Sequence, residues 1–109
     1  MSEKVRYMRL VVFFDLPIDT AAQRKEYRLF RKYLLKNGYL MIQESVYSKL
    51  AIDGRMASTL IQRLAQNRPP EGLVQVLQVT EKQYANMVSI VGDAPDDGTV
   101  VNTDTLVVL

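Results

Sequence analysis

The stretch YMRLVVFFD, residues 7–15, decides the fold. Successive side chains of an extended chain point to opposite faces, so Val11, Val12, Phe13 and Phe14 make this segment apolar on both. Such a strand belongs inside a sheet that is covered above and below. Pro17 stops it, and Asp15 places a carboxylate where buried strand gives way to solvent.

Working outward, a helix follows. Thr20 and Gln23 form a T-x-x-Q capping box, and Asn37-Gly38 supplies a left-handed stop. Gln23, Tyr27, Phe30 and Leu34 share one helical face. Arg24, Lys25, Arg28, Arg31, Lys32 and Lys36 fall in an arc of about 140° on the other side. Leu35 interrupts that arc and has no evident place in the core.

Residues 39–52 (YLMIQESVYSKLAI) read as extended. Strands usually run about five or six residues, so a tight hairpin is expected near Gln43-Glu44-Ser45. Asp53 can cap a second helix that carries Met56, Leu60 and Leu64 at i, i+4 and i+8, with Ile61 beside them. Residues 68–72 (RPPEG) are a loop, and residues 73–80 (LVQVLQVT) alternate as a strand. Thr80 and Gln83 form a second capping box, opening a short helix through Tyr84, Met87 and Val88 to Gly92. Residues 93–104 are a polar loop, and the last five, TLVVL, are strand-prone.

The order β-α-β-β-α-β, then a short helix and a terminal strand, predicts a ferredoxin-like α+β sandwich with two helices on one sheet face. Residues 1–92 form that single domain, and 93–109 are a loop plus terminal strand. The other sheet face then needs cover, which a second copy in a homodimer would supply. The terminal strand is too isolated to stand alone and must pair with an existing edge, expected on the partner subunit. A domain of this size buries only about two-thirds of its unfolded surface, a further reason to dimerise.

Composition narrows the chemistry. The 109 residues contain no cysteine and no histidine. That excludes disulfides, thiolate metal sites and thiol nucleophiles, and removes the commonest general base. Carboxylates with a hard cation, hydroxyls and Lys/Arg remain. Net charge is +2, but residues 1–50 hold ten Lys/Arg against five Asp/Glu, and residues 51–109 four against seven. That asymmetry points to a polyanion on one face. No apolar run reaches the roughly 20 residues that span a bilayer, and the N-terminus carries no signal-peptide pattern. A soluble cytoplasmic protein with no membrane partner is expected.

Asp15 is the foremost candidate for chemistry, as catalytic carboxylate and metal ligand, because a strand-end carboxylate suits Mg²⁺. The competing reading is that it caps the following turn. One carboxylate per chain is thin for a metal site, but a two-fold dimer could bring two copies of Asp15 together. Asp19 is better placed to serve the helix start. Arg24, Arg28 and Arg31, widened by Lys25, Lys32 and Lys36, can face phosphates; a solvated helix surface is the plain alternative. Arg6, Arg9, Arg63 and Arg68 are the next cations. Ser45 and Tyr47 could donate to a phosphate. Asp93, Asp96 and Asp97 lack the spacing of a calcium loop. Strand LVQVLQVT has none of the stacking aromatics of an RNA-recognition domain.

Four segments in fixed order carry a resemblance. They are VVFFDLP at 11–17, RKEYRLFRKYLLKNG at 24–38, QESVY at 43–47 and VTEKQY at 79–84. Together they resemble the small CRISPR-associated adaptation protein, the second of the universal pair and partner of the integrase. RKYLLKNGY and TEKQY look most like the type II form. The resemblance implies a ferredoxin-like homodimer whose terminal strand joins the partner's sheet. It implies a metal-dependent endonuclease on RNA or double-stranded DNA, using Mg²⁺ or Mn²⁺ at Asp15. It also implies a subunit that holds prespacer duplex and bridges two integrase dimers. A toxin-like endoribonuclease acting alone, on single-stranded RNA, is the alternative.

Overall fold

The strand from Met8 to Asp15, β1, lies inside a four-stranded antiparallel sheet in the computed structural model, which describes residues 6–93. Around it come α1 (Ala21–Lys36), β2 (Leu40–Gln43), β3 (Val46–Ala51), α2 (Gly54–Gln66), β4 (Leu73–Thr80) and α3 (Glu81–Ala85). The sheet order β2-β3-β1-β4 is that of the ferredoxin-like sandwich. The expected terminal strand, 105–109, lies outside the described residues.

Register explains why β1 is apolar on both sides. Leu10, Val12 and Phe14 face the two helices, opposite Lys49 and Tyr47 of β3 and Gln78, Val76 and Val74 of β4. These three side chains are buried with Phe30, Leu34, Leu60 and Leu64 from the helices. Phe14 sits in an aromatic cluster, its ring centroid 5.2 Å from Phe30, 5.7 Å from Tyr47 and 5.8 Å from Tyr27. Each such pair adds about 0.5–1.5 kcal/mol beyond area burial, so the residue before Asp15 is firmly held.

The helix ends are as the caps predict. Thr20 accepts the Gln23 amide at 3.1 Å while Gln23 reaches back to the Thr20 amide at 3.0 Å. Asp53 accepts the Met56 amide at 2.8 Å. Gly38, at φ +86°, turns the chain out of α1, and the Lys49 ammonium donates to the Asn37 carbonyl there. Burial, with Arg63 adding repulsion, holds that ammonium below its ordinary pKa. Tyr39, just before β2, is a buried phenol whose pKa is pushed up to about 12 by burial, with Tyr33 nearby adding to it.

The opposite face, carrying Arg9, Val11 and Phe13, is only partly covered. Helix α3 folds over its Arg9 end. Arg9 is 2% exposed and makes a bidentate ion pair with Glu81, Nε to Oε1 at 2.8 Å. Its guanidinium lies 4.6 Å from the Tyr84 ring centroid, and the Tyr84 hydroxyl sits 3.3 Å from Ser48 Oγ. Arg9 is therefore a buried structural cation, not a surface one available to phosphate. The helix expected to run to Gly92 stops at Ala85. Past that point Met87 and Val88 are at least half-exposed, and Ile90 and Val91 stand almost fully exposed; a short helix does not propagate without packing. The rest of the face remains open, with Phe13, Leu40, Leu73, Leu77 and Met87 exposed.

Candidate functional site

At the Pro17 end of β1, a half-open cleft of about 430 Å³ is lined by Asp15, Arg24, Tyr27, Arg28, Glu44 and Ser45. It lies in the roughly 300–1,000 Å³ range of ligand clefts. Three separate pieces of chain converge there, and each is positioned by contacts the local sequence dictates.

Asp15 is exposed at the end of β1 and pairs with Leu73 of β4. By alternation its side chain belongs to the open face with Phe13, so it stands where that face meets the cleft. The loop before β4 presses against its backbone. Gly72 has φ +97°, and a Cβ there would lie 2.8 Å from the Asp15 carbonyl oxygen and 2.8 Å from Leu16 Cδ2. Only glycine suits both the left-handed backbone and that approach, so Gly72 fixes where Asp15 sits. Glu71 beside it accepts from Gln23 Nε2 at 3.1 Å, tying the same loop to the start of α1.

The α1 wall carries the charge. Arg24 NH1 donates at 3.1 Å to both the Ile18 and Asp19 carbonyls, which locks its guanidinium over the chain entering the helix. Arg28 lies one turn further on and lines the same cleft. Arg31, Lys25, Lys32 and Lys36 are exposed on α1 but do not line it. Leu35 is exposed among them. The cationic arc is thus real as a surface, and two of its six members line the cleft that Asp15 also lines. Asp19 serves the helix start, its amide bonded to Gln23 Oε1 at 2.9 Å.

The third wall is the β2–β3 hairpin. Gln43 pairs with Val46, so Glu44 and Ser45 form a two-residue turn, preceded by a bulge between Met41 and Gln43. Ser45 has φ +65°, and its carbonyl accepts the Phe14 amide at 3.0 Å. Tyr47, named with it from the sequence, is 1% exposed and stacks on Phe14. Tyr47 lies in β3 opposite inward-facing Val12, whereas Ser45 precedes the strand in the turn and lines the cleft, so Tyr47 is a core residue. Glu44 and Gly72 are the contributors that sequence reasoning missed. Glu44 sits in a stretch whose hydroxyls draw the eye first, and Gly72 in a loop with no signal for what it touches.

Among the described residues, no three of Asp, Glu, His or Cys converge as a metal cage. Asp15 and Glu44 nonetheless line one cleft, an all-oxygen pair of the kind that suits a hard cation retaining several waters. Also among them, no helix is long and apolar enough to cross a membrane.

The family model described as CRISPR associated protein Cas2 matches residues 8–87. A CRISPR-associated endoribonuclease Cas2 of Treponema denticola is 48% identical over 102 residues, covering 94% of this chain and 99% of that protein. A protein of the same name from Streptococcus mutans serotype c is 45% identical over 101 residues, covering 93% and 91%. Another from Acidovorax ebreus is 51% identical over 85 residues, covering 78% and 83%.

Proposed function

This chain belongs to the CRISPR-associated protein Cas2 family, and from that premise we propose that it is a spacer-acquisition subunit that dimerises, grips duplex prespacer DNA and bridges two integrase dimers. It works in the cytoplasm, where the DNA it handles lies. The observation that carries the nucleic-acid part is the cleft that Arg24, Arg28 and Asp15 line together. Guanidinium groups suit phosphate oxygens in charge and geometry. The other exposed cations of α1 continue the track away from the cleft.

A phosphodiesterase activity at Asp15 goes with this reading. Asp15 and Glu44 would hold a Mg²⁺ or Mn²⁺ ion, which supplies charge stabilisation and an activated water when bound. Arg24 and Arg28 would hold the phosphate against that corner, and the aromatic cluster behind Phe14 would keep Asp15 in place. The name that the relatives bear, endoribonuclease, favours a second reading: a metal-dependent ribonuclease acting alone on single-stranded RNA.

The open face supports the dimer. Phe13, Leu73 and Leu77 are each 39–54% exposed on one sheet surface, an apolar patch that a second copy would cover. Because Asp15 belongs to that side, an isologous pairing would bring two copies of it toward the axis. Leu77→Glu is expected to give a monomer by light scattering that stays folded by circular dichroism, since Leu77 is half-exposed in the single chain, with a Tm lowered by the loss of the dimer. A dimer of unaltered stability would remove the open face from consideration.

Duplex binding should be largely indifferent to sequence and strongly weakened by salt. Replacing Arg24, Arg28 and Arg31 together by Gln should lower the log–log salt slope by about 2.7, at roughly 0.9 for each B-DNA phosphate left without its cation. Fluorescence anisotropy of a labelled duplex over a salt series measures this, with Tm checked because Arg24 also braces the helix start. Unchanged affinity and slope would move the track to Arg6, Arg63 and Arg68.

A further inference from the structure

We propose that Ser45 is a substrate-contacting residue of the Asp15 cleft, its hydroxyl donating to a phosphate oxygen of bound nucleic acid, and that its left-handed backbone serves to aim it. The inference rests on the phosphate-binding reading above. Among the described residues Ser45 alone, apart from glycines, has a positive φ, +65°. It is the second residue of a two-residue turn, a place where glycine or asparagine stands with little strain. A serine there costs backbone energy that glycine would not. Side chains held in such a conformation gather at ligand sites, where the surroundings fix them.

The fixing contacts are visible. The Ser45 carbonyl accepts the amide of Phe14, the residue before Asp15, at 3.0 Å. The turn and the strand end therefore move as one piece. The Ser45 hydroxyl lies 3.4 Å from the Tyr27 hydroxyl on α1, long for an O–H···O bond, which runs about 2.5–3.0 Å. That contact is too weak to account for a strained residue. Yet the hydroxyl lines the same cleft as Arg24 and Arg28, where a charged acceptor would draw it more strongly than the phenol does. A phosphate seated there meets guanidinium donors from α1 and a hydroxyl donor from the hairpin, beside Asp15.

Substitution separates this role from a bracing one. Ser45→Gly removes the hydroxyl and relieves the backbone. It should melt at or above the wild-type Tm yet bind a labelled DNA duplex about tenfold more weakly, the size of one hydrogen bond to a charged group. Ser45→Ala keeps the strain and should show the same loss of binding with a Tm at or below wild type. Wild-type affinity in Ser45→Gly overturns the proposal, as does a loss of binding that tracks a fall in Tm. A wild-type protein that binds neither duplex nor RNA overturns the reading beneath it instead, and the proposal with it.

Discussion

Asp15→Asn is expected to reduce metal-dependent cleavage to background while leaving fold, dimer and duplex affinity intact. The chain has no histidine or cysteine, so no other side chain supplies the usual general base or a soft metal ligand. Asparagine keeps the shape of the strand end but loses the charge that holds a hard cation. Nothing structural rests on that charge: Asp15 is exposed, and the geometry there is set by Gly72 and the Phe14 cluster. Both RNA and duplex DNA belong in the assay, with Mg²⁺, Mn²⁺ and EDTA arms. A variant that integrates spacers without cutting would assign the cell's use of this protein to its DNA grip. One that loses both would favour the nuclease reading. Full cleavage by Asp15→Asn, or cleavage in EDTA, removes Asp15 from the chemistry.

The parts of this molecule that were legible in the sequence are those governed by local rules. Capping pairs Thr20–Gln23 and Thr80–Gln83 and the cap Asp53 set where helices begin. The doubly apolar β1 set the centre of the sheet. The six cations of α1 are exposed as the helical period requires. What failed to show depends on distant chain. That Arg9 is buried follows only from Glu81, 72 residues away. Tyr47 and Ser45, two residues apart, looked equivalent as donors, yet the left-handed turn at Ser45 gives one to the core and the other to the cleft. Only the register that carries the β2–β3 turn to the end of β1 puts Glu44 beside Asp15. The length of α3 was misjudged because its apolar period continues past Ala85 through residues that nothing buries: Met87, Val88, Ile90 and Val91 are all exposed.

Glu81→Ala should cost about 3–5 kcal/mol in urea denaturation, the usual penalty for removing one member of a buried ion pair. Arg9 would remain at a nearly closed site on β1 with its bidentate partner gone, and Tyr84 would lose the docking that keeps it over the guanidinium. Because α3 has only five residues, it has little packing of its own to stay in place. Its release would uncover the Arg9 end of the open face and enlarge the apolar surface next to Phe13 and Leu77. Aggregation rather than clean monomer is therefore expected near the midpoint. Changing both partners, Arg9→Leu with Glu81→Leu, should recover most of the loss, because an apolar pair of similar volume needs no compensating charge. The double variant separates the charge from the packing: if it is no more stable than Glu81→Ala, apolar packing does not replace the pair, and the helix is held by the bonded Arg9–Glu81 geometry itself. A single variant within about 0.5 kcal/mol of wild type, the range of an ordinary surface change, would mean that Arg9 finds solvent as soon as Glu81 leaves and that α3 is a loosely held cover.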